Sequence, residues 1–140
     1  MLKTLSKGLI AIVILSTSCV AQKSNEESGT LSGMIGIYEG NCMPSPDVPP
    51  CEPQPIATTV YVTSLTEKFS EDLVIATTES NEDGDYSIKL APGTYSLFLQ
   101  DGESVICDVI QCPDQCYCNP FEIVADSTTS IDANIDHATW

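Results

Sequence analysis

No arginine occurs in the chain, and its five lysines stand against twenty acidic residues, for a net charge of −15. Phosphate backbones are gripped by Lys and Arg, so this balance argues against nucleic acid as a partner. Anionic lipid headgroups would repel the chain as well, whereas small cations would be drawn to it. Histidine is nearly absent: His137 is the single one. There is no nucleophile elbow, no phosphate loop and no zinc-protease motif. Abundant serines with one histidine outside any triad context do not make a hydrolase. Beyond the N-terminal segment no long run has helical periodicity, and no unit repeats at solenoid spacing. Catalysis, an obligatory cofactor and a helical fold therefore all lack a sequence signal.

What is present begins with an address. Met1–Lys7 carries Lys3 and Lys7, and Gly8–Leu15 (GLIAIVIL) is an apolar run followed by small residues and Cys19. The run is too short to span a bilayer as a helix and reads as the core of a signal peptide. Leu15-Ser16-Thr17-Ser18-Cys19 resembles a bacterial lipobox, with Ser16 where Leu is usual, a looser form typical of Bacteroidota-type lipoproteins. The resemblance implies that Cys19 becomes the lipidated N-terminus of the mature protein. An ordinary secretory signal cut nearby is the alternative. Residues 1–18 are then a signal peptide, 19–28 a short polar tether and 29–140 the folded domain. The expected location is the bacterial cell envelope, anchored to the outer membrane, on its periplasmic or surface face. The mature chain keeps three lysines against all twenty acids.

The domain reads as short strands separated by turns. Gly29–Gly40 places Leu31, Gly33, Ile35 and Ile37 on one side. Asn41–Pro55 holds six of the nine prolines and reads as a stiff, extended loop. Thr58–Leu65 and Leu73–Thr78 are rich in β-branched residues. Asn81-Glu82-Asp83-Gly84 is a turn, after which Tyr86, Ile88 and Leu90 alternate with polar residues. Ala91-Pro92-Gly93 breaks the run, and Tyr95, Leu97 and Leu99 alternate in turn. Two such strands joined by a Pro-Gly turn suggest an antiparallel hairpin whose apolar face a second sheet must cover. Ser104–Ile110, Phe121–Val124 and Thr128–Ile135 supply the remaining strands. The expectation is an all-β fold: an antiparallel Greek-key β-sandwich of seven to eight strands, stapled by disulfides.

Several of these stretches occur together in a known family. Gly29–Gly33, Val60–Val62, Thr78–Tyr86, Leu90–Tyr95 and Ser127–Ile135 together resemble the carboxypeptidase regulatory-like domain, a transthyretin-like (prealbumin-like) seven-stranded sandwich. Tyr38–Pro44, Asn119-Pro120 and Ile135–Trp140 are similar to segments of small Bacteroidota lipoproteins that carry this domain. The resemblance implies a non-catalytic module for structure, folding or docking, with no cofactor.

Seven cysteines are an odd number, and assigning Cys19 to lipid leaves six. Cys42 and Cys51 bracket the proline-rich loop, Cys107 and Cys118 the base of a second loop, and Cys112 and Cys116 its tip. Closure within each loop favours 42–51, 107–118 and 112–116, each bridge adding roughly 2–3 kcal/mol. Cross-links between the two loops are the rival pairing. A zinc site built from Cys107, Cys112, Cys116 and Cys118 is the functional rival, but its spacing matches structural zinc only loosely. An oxidising compartment also favours disulfides.

Other candidate sites are weaker. Asn81, Asp83 and Asp85 are closely spaced oxygen donors that suit calcium, although a plain turn explains them and the distal Glu of an EF-hand is missing. The loop 42–51 resembles a protease-inhibitor loop only superficially, and covering a sheet edge is the simpler role. His137 is expected to be a surface or packing residue. Trp140 is expected to dock under the last strand, since exposure would instead suggest carbohydrate stacking. Tyr38, Tyr61 and Tyr117 would form a sugar-binding strip only if they faced solvent together. The first reading is a structural or interaction module with a protein partner. The second is a small-ligand or carbohydrate-binding lipoprotein using loops 42–51 and 107–118.

Overall fold

The computed structural model describes residues 26–140, so the signal segment and Cys19 lie outside the described residues. Twelve strands follow in order: β1 (Gly29–Tyr38), β2 (Gln54–Pro55), β3 (Thr59–Ser64), β4 (Val74–Glu79), β5 (Asp85–Leu90) and β6 (Gly93–Asp101). Then come β7 (Ser104–Ile106), β8 (Ile110–Gln111), β9 (Tyr117–Cys118), β10 (Phe121–Ile123), β11 (Thr128–Ser130) and β12 (Ala133–Asp136). One 3₁₀ turn, Glu71–Leu73, is the sole helical element among the described residues.

Two sheets enclose one core, so the fold is an all-β sandwich. The first sheet is built on β1. Along its first half β1 pairs antiparallel with β5 and parallel with β11; along its second half it pairs antiparallel with β2 and parallel with β12. The second sheet has the order β10-β6-β3-β4, with β7 also on β6. Its pairings are all antiparallel. The parallel contacts of the first and last strands are the addition that local sequence could not announce. Leu31, Ile35 and Ile37 of β1 face Val60, Val62, Leu97 and Leu99 across the core.

The expected hairpin is a corner instead. β5 pairs with β1 and β6 with β3, so Ala91-Pro92-Gly93 carries the chain from one sheet to the other. The physical reason is the apolar face itself. In one sheet, the two strands would present Tyr86, Leu90, Tyr95 and Leu97 to the same uncovered side; on opposite sheets these residues cover one another. Tyr95 locks the bend, its Oη donating to the Ala91 carbonyl at 2.6 Å, the arrangement of a tyrosine corner.

Two strands are shorter than expected. Thr128–Ile135 breaks at Ile131-Asp132, where Asp132 Oδ1 takes the Met34 N–H at 2.8 Å. Gly33 permits this, because any Cβ there would overlap the Ile131 carbonyl. Ser104–Ile110 breaks after Ile106, where Cys107 leaves the ladder to join Cys118.

The outer face of the second sheet is covered too. Ser96 and Phe98 are buried although they point away from the main core. Phe69 stacks on Phe98 and Tyr61 at ring distances of 5.5 and 5.1 Å. Ser96 Oγ bridges the backbone of Thr66, accepting from its N–H and donating to its carbonyl. The loop around Phe69 and the base of the second cysteine loop thus form a satellite cluster over β6.

Candidate functional site

All six cysteines of the described domain are in disulfides: Cys42–Cys51, Cys107–Cys118 and Cys112–Cys116. The four-cysteine zinc arrangement is therefore not realised. The bridges differ in setting. Cys118 is fully buried and its Sγ rests on the Leu97 carbonyl, while the 112–116 bridge lies at the tip of its loop.

The calcium candidates form a turn. Asn81 Oδ1 accepts the backbone N–H groups of Asp83 and Asp85, each at 3.0 Å. Gly84 closes the turn at φ +78° and its carbonyl accepts the Ile35 N–H at 2.8 Å. The side-chain oxygen of Asn81 is thus committed to backbone donors. Among the described residues no group of three or more His, Cys, Asp or Glu side chains is placed to hold a metal ion.

The three tyrosines are not brought together. Tyr61 packs under Phe69 and donates to Gln100 Oε1 at 2.7 Å. Tyr117 lies in the second cysteine loop and donates to Gln115 Oε1. Only Tyr38 stands at a distinctive place.

That place is the end of β1, where the chain's C-terminus meets the proline-rich loop. Past β12 the tail continues the parallel ladder along β1: His137 N donates to the Tyr38 carbonyl, Thr139 N to that of Gly40, and Cys42 N to that of Thr139. This registers Trp140 against the Cys42–Cys51 loop. Trp140 does not dock under the last strand as expected; it is 57% exposed. Its Nε1 donates to Asp136 Oδ2 at 2.8 Å, and the Tyr38 ring meets it edge-on at 5.6 Å. Beside it opens a cavity of ≈ 360 Å³ lined chiefly by the proline-rich loop, including Met43, Pro44, Val48 and Pro50. Met43 and Val48 are more than half exposed. Apolar side chains exposed together around an aromatic anchor mark an interaction surface more than a folding requirement.

The loop is preorganised. The disulfide closes it, Asn41 Oδ1 accepts the Met43 N–H, and Ser45 O accepts the Val48 N–H. Its exit is tied down by β2, a two-residue edge strand on β1 that tolerates Pro55 because an edge needs no second partner.

Charge surrounds this end of the molecule. His137 is exposed, with Nε2 2.9 Å from Asp101 Oδ2. The hydrogen bond and charge of Asp101 raise its pKa above the ordinary histidine value, with smaller help from Glu39 and Asp136. Further along β12, Asp108 Oδ2 accepts the Asn134 N–H at 2.8 Å, blunting that sheet edge. Partial burial, with the nearby Asp136 charge, raises the Asp108 pKa despite that bond. In the core, burial and the Asp132 charge push the Tyr86 hydroxyl well above its usual range, and it donates to the Ile131 carbonyl at 2.6 Å.

No known family model matches the chain, and no curated protein does. Solved structures do. The minor pilin of the gram-positive pathogen Streptococcus agalactiae matches over 79% of this chain and 44% of its own, at 16% identity and a TM-score of 0.45. A leucine-rich repeat protein from Bacteroides thetaiotaomicron matches over 79% of this chain and 12% of its own, at 16% identity and a TM-score of 0.36. The chain spans less than half the length of either. At these scores neither likeness carries an argument, and the fold stands on the strand pairing itself.

Proposed function

We propose that this protein is a non-catalytic, lipid-anchored interaction module of the bacterial cell envelope, and that its binding surface is the cleft between Trp140 and the Cys42–Cys51 loop. The observation that carries this reading is the exposed, hydrogen-bonded Trp140 beside a preorganised apolar loop. A rigid aromatic anchor over a cavity gives binding energy at low entropic cost. The carboxypeptidase regulatory-like family is supported by the roles of its motif residues. Gly84 holds a positive-φ turn, Tyr86 fills the core, and Pro92, Gly93 and Tyr95 build the inter-sheet corner. Lipidation at Cys19 in the outer membrane fits the lipobox-like segment and would attach the domain through the tether that enters at Gly29.

The test has two arms. Intact mass of the protein from a bacterial membrane fraction is expected to match acylated Cys19 with three disulfides. A photo-crosslinking residue at Met43 is expected to yield partner adducts that vanish in Trp140→Ala, while the same group at Glu122 yields none. Equal adducts from both positions would remove the cleft from the function. The exposed indole also favours a second reading, carbohydrate stacking. Quenching or shift of Trp140 emission by neutral oligosaccharides would support it.

A further inference from the structure

We infer that the cleft at Trp140 takes a basic segment of a protein partner, with a lysine or arginine side chain laid against the indole. The inference rests on reading that cleft as the binding surface and adds the chemistry of what binds there. The indole is held in one pose by Asp136 and flanked by Tyr38, and more than half of it remains open. A cation near an aromatic face is attracted by the ring quadrupole. Asp136 places a carboxylate charge at the rim of the same ring, its two oxygens accepting the indole N–H and the Ala138 N–H.

The segment that walls the cleft carries negative charge. Glu39, Asp47 and Glu52 lie on or beside the loop segment, and no lysine does. Among the described residues the lysines are Lys68 and Lys89, and Lys89 pairs with Thr30 near the far end of β1. His137, the one other cationic side chain at this end among the described residues, is held against Asp101, with Glu39 and Asp136 acting on it more weakly. An occupant that matches this field carries positive charge, and one that fills the ≈ 360 Å³ cavity brings aliphatic surface as well. Lysine and arginine combine both, an apolar stem with a charged head. A second copy is a poor occupant, because a chain without arginine and with a net charge of −15 repels itself. A neutral sugar would stack on the indole but leave the acidic charge of this end unmatched.

The test uses the full chain and peptide pools whose central position is fixed as Arg, Lys, Leu or Glu. Emission of Trp140, the only tryptophan, reports the cleft directly. The Arg and Lys pools are expected to shift it, and their affinity to fall by roughly tenfold between about 0.05 and 0.5 M salt as screening grows. Asp136→Asn keeps an oxygen for the indole N–H and removes the charge; it is expected to weaken the Arg pool by roughly two- to fivefold, the scale of an exposed ion pair. Equal binding of the Leu or Glu pools, or basic binding indifferent to salt, overturns the basic partner and leaves the cleft as a binding surface. A response to maltohexaose alone does the same in favour of carbohydrate. Silence of every pool and of the sugar removes both the partner and the cleft.

Discussion

Gly84 shows how one residue ties a turn to the core. Its φ of +78° lies where side chains are disfavoured, and a Cβ would sit 2.5 Å from the Ile35 carbonyl. Gly84→Ala therefore meets both backbone strain and a clash with a strand that cannot move, because β1 is paired on both sides. The expected loss is about 2–3 kcal/mol, read as a lower urea midpoint. A midpoint unchanged from the parent would mean that the turn can shift off β1. Asp108 is the opposite case, a residue that costs stability. At low pH both the folded and unfolded chains hold its proton. As pH rises the unfolded chain releases it first, because the folded pKa is raised, and the native state loses stability until that raised pKa is passed. Asp108→Asn mimics the protonated form and keeps an acceptor for the Asn134 N–H. The variant is expected to be more stable than the parent at pH 7, with the gap closing below about pH 4. Urea titrations at pH 7 and pH 3 check it, and a gap of equal size at both would show that the charge is not the cause.

At the scale of elements, alternation was readable and partnership was not. Tyr86, Leu90, Tyr95, Leu97 and Leu99 announce themselves as inward residues by their spacing, and all are buried. Which sheet each strand joins depends on contacts distant in sequence, so a Pro-Gly corner between sheets reads like a Pro-Gly hairpin within one. The parallel pairing of β1 with β11 and β12 is invisible for the same reason, since its partners lie about a hundred residues apart. The cleft was legible only in its loop: the prolines and the Cys42–Cys51 bracket could be seen, but the tail ladder that sets Trp140 beside them could not. Burial of Phe98 was hidden because its cover comes from loops with no pattern of their own. Those loops also rank the disulfides. Cys118 lies beneath the satellite cluster and Cys42 is buried, whereas Cys112 is exposed. Reductant reaches sulfur by direct attack, so access orders the rates. Under graded reductant with alkylation and peptide mapping, the 112–116 bridge is expected to open first and 107–118 last. Simultaneous opening of all three would show that reduction waits on global unfolding.

The whole molecule has two ends. β1 starts at Gly29, and the cleft forms beyond Tyr38 at its finish. Ten strand residues separate them by roughly 30 Å. Because β12 runs parallel to β1, the segment that follows it arrives at the end far from Gly29, and Trp140 comes with it. An antiparallel closing strand would have returned the tail toward Gly29. Under the proposed anchoring at Cys19, the parallel pairing would let the domain present Trp140 away from the bilayer, and the acidic surface would oppose lying flat on anionic headgroups. With the acylated protein in vesicles, Trp140 emission is expected to be quenched by acrylamide to the same extent as in detergent solution. Brominated lipids, which quench only at contact depth, are expected to leave it unchanged. Quenching by the brominated lipids would place the cleft against the membrane and turn its apolar wall into a lipid-facing surface.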